Sequence, residues 1–208
     1  MSDDISAQPT GDTHSVKRST ERSRRSPPAY RNQLAVLPSQ RDRRQGSLNA
    51  KVVLVEYGDY QCPRCGELHT LIRAVQEQLN TSDQNDLCFV YRHFPQPQIH
   101  PQAQKAAAAA EAAAAQGQFW QMHDILFAHQ QELGDGYLAE YADNLELDVT
   151  QFVRDLYRQV HVARINEDIE SGLQSGVTAA PALFINAIQY SGRWNIEQLK
   201  AAIVAASH

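Results

Sequence analysis

Cys62 and Cys65 stand two residues apart in the run YGDYQCPRCGELH, residues 57–69, and they are two of only 3 cysteines in a chain of 208 residues. Thiols at this spacing can hold a metal, close a short loop, or exchange electrons with thiols of another protein. A zinc centre wants four ligands, usually from two such pairs. The chain has no second Cys-x-x-Cys and no His-x-x-x-His, and although His69 can offer one ligand, the reading is that no metal is bound. A purely structural bridge is disfavoured by so short a loop in a reducing compartment. Thiol–disulfide exchange takes most of what remains. Cys88, inside the apolar run LCFVYRHF, reads as a buried small hydrophobe.

The cysteines need elements to hold them. KVVLVEY, residues 51–57, is a β-branched run that suits a buried strand, and it is expected to be the first strand of the fold. After the cysteines, Leu68, Leu71, Ile72, Val75 and Leu79 recur at helical spacing, and 87–94 reads as a second strand. Strand, helix, strand implies a parallel pair with a right-handed crossover. A helical subdomain is then expected over about 101–175: an alanine-rich helix ending at Gly117, a second over FWQMHDILFAHQ, and weaker ones through 138–145, 149–160 and 162–173. Short strands at 182–186 and 188–191 follow, then a last helix with Asn195 as N-cap and Gln198 completing a capping box.

Charge divides the chain. Residues 1–50 carry nine lysines and arginines against five acidic residues, although the whole chain has a formal net charge of -5. Few large apolar side chains stand in this basic stretch, so residues 1–46 are read as a disordered tail and 47–208 as one folded domain. The tail has no aromatic interleaving and no nucleic-acid motif, so no specific nucleic acid is expected. The polar start lacks a signal-peptide pattern and nothing is long and apolar enough to span a membrane, which gives a cytoplasmic expectation.

Where the first strand meets its helix, Cys62 falls at a helix N-terminus, whose unpaired N–H groups and dipole favour an anion. Pro63 occupies the first helical position, where its missing N–H is harmless, and Arg64 adds a nearby cation. The Cys62 pKa should therefore fall from about 8.5 into the range of roughly 3.5 to 7.5. Cys65, one turn on and deeper, is the resolving thiol. Each unit of pKa below ambient pH stabilises the dithiol by about 1.4 kcal/mol, roughly 30 mV for a two-electron couple.

The runs VEYGDYQCPRCGELH, YRHFPQPQIHPQAQKAAAAAEAAAAQGQFWQMHDILF and GVTAAPALFINAIQYSG together resemble the DsbA-like branch of the thioredoxin superfamily, over about residues 47–206. The resemblance implies an α/β thioredoxin fold with an inserted helical subdomain. It implies that Pro181 is a cis proline facing the cysteines, that the backbone of Ala180 pairs with a bound substrate strand, and that Glu56 is a buried acid relaying the proton of Cys65. The best-known member has Pro-His between its cysteines; this chain has Pro-Arg, a charge that does not switch near neutral pH.

The expected activity is thiol–disulfide oxidoreduction. Cys62 is the attacking sulfur, Cys65 resolves, Glu56 moves the proton, and Pro63, Arg64, Ala180 and Pro181 shape the groove. The redox-active pair serves in place of any cofactor, and the partners are protein thiols and a recycling protein. Two other readings are a redox-linked binding or sensor module and a glutathione-dependent small-molecule enzyme; members of this fold with the latter activity typically lack the second cysteine. His93, His100, His123 and His129 are ascribed to caps and helix faces.

Overall fold

The computed structural model describes residues 32–79 and 87–208. Its centre is a five-stranded sheet made of β1 (Arg43–Gln45), β2 (Val52–Gly58), β3 (Leu87–His93), β4 (Ala182–Ile185) and β5 (Ile188–Gln189), in the order β1-β3-β2-β4-β5. The central pair β2 and β3 is parallel, with Glu56 opposite Tyr91, and the other pairings are antiparallel. Helix α1 (Pro63–Leu79) leads from β2 towards β3, the crossover that a parallel pair requires.

The central strands bury both faces, and the alternation of their side chains divides the core in two. Val52 and Leu54 of β2 join Phe89, Tyr91, Leu183 and Ile185 in a cluster with Leu68, Ile72 and Val75 of α1. Val55 and Tyr57 point the other way, to Val90, Phe184 and Cys88. Glu56 shares the α1 face, because it is in step with Val52 and Leu54.

Helices α2 (Ala103–Ala114), α3 (Phe119–Ala128), α4 (Asp135–Asn144), α5 (Val149–Tyr157) and α6 (Val162–Gln174) form the expected insert. Ala106, Ala109, Ala110, Ala112 and Ala113 of α2 are all buried, so its small side chains let neighbouring helices approach closely. Gly117, at φ 81°, turns the chain between α2 and α3. Helix α7 (Ile196–Ala206) closes the fold. Asn195 caps it by accepting from the Gln198 N–H at 2.9 Å, but Gln198 Oε1 accepts from the Arg193 N–H, so the expected reciprocal box is only half made. No helix among the described residues is long and apolar enough to cross a membrane.

The boundary expected at residue 46 is corrected. Residues 32–46 pack on the body, and β1 precedes the strand expected to be first. Arg43 of β1 forks onto the buried Glu111 of α2, its Nε donating to Oε1 at 3.1 Å, while His93 Nε2 lies 3.0 Å from the same oxygen. Burial pushes the Glu111 carboxyl up, but His93 and Arg43 outweigh it and hold the group well below the usual range. Arg92 donates to Asp42 at 2.7 Å, to the Val36 carbonyl at 2.9 Å and to the Tyr57 hydroxyl at 2.8 Å. Leu34 is buried in the second cluster. Arg43 and Asp42 look like solvated tail in the sequence, yet each is paired with a buried charge of the body, Glu111 and Arg92. Residues 1–31, the rest of the expected tail, lie outside the described residues.

Candidate active site

The cysteine pair sits at the first turn of α1, as Pro63 at its opening position requires. The Cys62 carbonyl accepts the N–H groups of Cys65 at 3.0 Å and Gly66 at 3.2 Å, and the Cys62 N–H donates to the Asp59 carbonyl at 3.1 Å. Gln130, beyond α3, donates through Nε2 to the carbonyls of Tyr60 and Cys62, each at 2.8 Å. A side chain at Gly66 would collide with Gln130 Oε1 at 2.4 Å, so glycine there admits this clamp.

The two sulfurs differ in environment. Cys62 is 6% exposed and next to the exposed Pro63 and Arg64, whereas Cys65 is fully buried and accepts the Asp59 N–H at 3.4 Å. A hydrogen bond from the Cys65 thiol lowers the Cys62 pKa to about 6; burial opposes it, and the backbone N–H groups of Cys65 and Arg64 assist. At pH 7 a thiol with that pKa is about nine-tenths thiolate. Burial above all, together with that hydrogen bond to Cys62, pushes the Cys65 thiol far up. The guanidinium of Arg64 stacks over the Trp194 ring at 5.8 Å, so the anion is stabilised by donors in the first turn rather than by the expected arginine charge.

Beneath the pair lies Glu56, 1% exposed, with neither carboxyl oxygen hydrogen-bonded among the described residues. Burial, reinforced by the negative charge of Cys62, raises its pKa to about 8. Gly58, two residues along the same strand, makes the space: a Cβ there would meet the Tyr91 ring at 2.5 Å and Glu56 Oε1 at 2.9 Å.

Opposite the sulfurs, the Ala180–Pro181 peptide bond is cis, and the Ala180 carbonyl oxygen is 3.8 Å from Cys62 Sγ. Pro181 has no N–H, and the N–H of Ala180 donates to Gln96 Oε1 at 3.0 Å, so of that residue's backbone groups only the carbonyl is turned to the sulfur. Pro63, Arg64, Ala180 and Pro181 thus all stand around Cys62.

Several residues at this site escape a sequence reading. Asp59 accepts from the N–H groups of Gln61 at 2.8 Å and Gln96 at 3.0 Å, and its Oδ2 is 2.8 Å from His100 Nδ1. One buried carboxylate therefore fastens the cysteine loop to the segment after β3, which through Gln96 fastens Ala180. His93 and His123 are core residues, 0% and 1% exposed: His123 is on a helix face as expected, the buried one of α3, whereas His93 is in strand β3 and neither caps nor faces a helix of its own. Cys88 is buried in β3, and burial raises its pKa.

The thioredoxin family model matches residues 39–205. Among curated proteins, a protein of Salinispora arenicola named Na(+)/H(+) antiporter NhaA 1 is 42% identical over 166 residues, which is 80% of this chain and 25% of that protein. A second so named, from Mycolicibacterium vanbaalenii, is 38% identical over 169 residues. The chain spans about a quarter of the length of these relatives. Among solved structures, oxidised BdbD from Bacillus subtilis superposes with a TM-score of 0.74 at 20% identity, covering 85% of this chain and 98% of that one. The alpha-DsbA1 of Wolbachia pipientis gives 0.70 at 19% identity, covering 83% and 94%. The likeness to these structures is one of fold, and it extends through the helical insert. With the family match running from β1's approach to the last turns of α7, the chain belongs to the thioredoxin family, in the DsbA-like form of its fold.

Proposed function

We propose that the chain exchanges disulfides with protein thiols through Cys62 and Cys65. One observation carries this reading: the less buried sulfur, at the first turn of α1 and facing the Ala180 carbonyl, is stabilised as a thiolate while its partner is fully buried, protonated and next to a carboxyl of pKa about 8. In the oxidising direction a substrate thiolate attacks Cys62 Sγ of the disulfide, the Cys62–Cys65 bond breaks, and Cys65 leaves with the electron pair. The buried Cys65 then needs a proton, and Glu56, mostly protonated at pH 7, gives it. A second substrate thiolate attacks the substrate sulfur of the mixed disulfide, and Cys62 departs as the stabilised thiolate. In the reducing direction the Cys62 thiolate first attacks a substrate disulfide and expels one substrate thiolate; the Glu56 carboxylate then takes the proton from Cys65, which attacks Cys62 Sγ of the mixed disulfide and releases the other substrate sulfur as its thiolate.

The test is capture. A Cys65→Ser chain leaves Cys62 to form mixed disulfides that cannot resolve, so substrate adducts should accumulate on non-reducing gels and disappear in Cys62→Ser. Absence of adducts from a folded Cys65→Ser chain whose Cys62 still alkylates rapidly sinks the proposal.

A second reading has its own support. The relatives named as Na(+)/H(+) antiporters match this chain over about a quarter of their length, which suits a redox-linked module attached to a transporter. Catalytic turnover in insulin reduction or in disulfide formation favours the enzyme; oxidation once per chain without turnover favours the module.

A further inference from the structure

We infer that His69, His123 and Asp124 form a binding site for one zinc-like divalent metal ion, separate from the cysteine pair. One ligand atom from each residue lies within 4.8 Å of the other two. His69 is on α1, one turn beyond Cys65, and the other two are adjacent on α3.

The observation that points to a ligand is the state of His123. Its ring is 1% exposed and its Nδ1 is 3.0 Å from the Tyr60 hydroxyl, yet its Nε2 is buried with no hydrogen-bond partner among the described residues. A buried ring nitrogen left alone is costly. A ring held at one nitrogen by a second group, with the other nitrogen free, is also how metal-binding imidazoles are prepared. His69 is fixed similarly, by stacking on Phe127 at 4.8 Å and 19°, with its Nε2 3.5 Å from Asp124 Oδ1. Burial lowers the pKa of both histidines, which keeps the rings in the neutral form that binds metals.

The surroundings admit an ion. All three residues line a cavity of about 510 Å³ that also touches Arg73, Glu77 and Trp120. Donors around tetrahedral zinc stand about 3.4 Å apart, from metal–ligand distances of roughly 2.0–2.1 Å, so the widest pair here closes by about 1.4 Å. His69 Nε2 and Asp124 Oδ1, 3.5 Å apart, already stand at that spacing, so the closing falls to the pairs that include His123. Arg73 now holds Asp124 at 3.2 Å, but its side chain is 54% exposed and can swing aside. Two imidazoles and one carboxylate suit zinc better than calcium or magnesium, which take oxygen sets. Three protein ligands leave the fourth position to water.

The experiment uses the full chain with the Cys62–Cys65 disulfide formed, so that those thiols do not compete and thiol exchange is not being tested. Calorimetric titration with zinc chloride should show one equivalent bound. Asp124→Asn and His69→Gln, both at partly exposed positions, should each weaken binding at least tenfold while leaving the melting profile of the metal-free chain intact. X-ray absorption of the wild-type zinc complex should show nitrogen and oxygen at about 2.0–2.1 Å. No saturable binding, equal affinity in both variants, or a sulfur shell at about 2.3 Å overturns the inference.

Discussion

A carboxyl group buried without partners is one of the costlier residues a fold can keep, and among the described residues Glu56 is such a group. Its pKa moves from about 4.5 in the unfolded chain to about 8 in the folded one. Below pH 4.5 both states hold the proton, and burial of the neutral group is fully tolerated. Between pH 4.5 and 8 the unfolded chain loses the proton while the folded chain keeps it, so stability falls as pH rises and levels off above 8. Glu56→Gln removes that term. The variant should be more stable than wild type at pH 8, by up to about 4 kcal/mol, and the gap should close at pH 4 in urea melts. In the reducing direction the same variant should slow release of substrate by Cys65 from the mixed disulfide by about a hundredfold, the lower end of general acid–base effects. Unchanged rates together with the stability gain would leave Glu56 a buried burden without a part in the exchange.

At the scale of elements, α6 reaches the sheet at a point where its backbone has no side chain in the way. A Cβ at Gly172 would lie 2.9 Å from Phe94 Cδ2 and 3.1 Å from Tyr57 Cδ1, and both rings are buried. Gly172→Ala gains about 1 kcal/mol of helix propensity but overpacks two aromatics at about 1–3 kcal/mol, so chemical denaturation should show a net loss of up to about 2 kcal/mol. A gain in stability would mean that α6 sits away from the rings. Much at this scale was legible in the sequence. β2, α1 and β3 follow from apolar runs and helical spacing, and the insert follows from alanine content and periodicity. β1 was not, because Arg43–Gln45 is three polar residues with no pattern of its own; it is held by pairing with the distant β3 and by a link from Arg43 to Glu111, 68 positions along the chain. At the site, Cys62, Cys65 and the helix start could be read from a local motif, and the roles of Glu56, Ala180 and Pro181 only from the resemblance. Asp59 and the histidine pair were hidden, since their partners come from other segments: Gln96 and His100 for Asp59, and a helix 54 residues later for His69.

For the whole molecule, the body begins earlier than its composition suggests. Deleting residues 1–46 takes away β1, the buried Leu34 and both Arg43 and Asp42, leaving the buried Glu111 without its guanidinium and the buried Arg92 without its carboxylate. Breaking a buried pair by removing one member costs about 3–5 kcal/mol. The truncated chain should therefore melt far below the full one, and Arg43→Ala alone should reproduce about 3 kcal/mol of that loss. Equal melting temperatures for the full chain and the deletion would place residues 32–46 outside the cooperative unit. The Asp59 carboxylate suggests how this unit meets a partner. It rivets the cysteine loop to the stretch after β3 below the mouth around Cys62, and Gln96 ties the backbone of Ala180 to the same place, so in the proposed exchange a visiting polypeptide pressing on any edge of that mouth pushes on a single stiff plate. Recognition is then set by the contour of a rigid rim, and cutting out the rivet would leave three strips that wander separately, with a target thiol no longer guided to its sulfur.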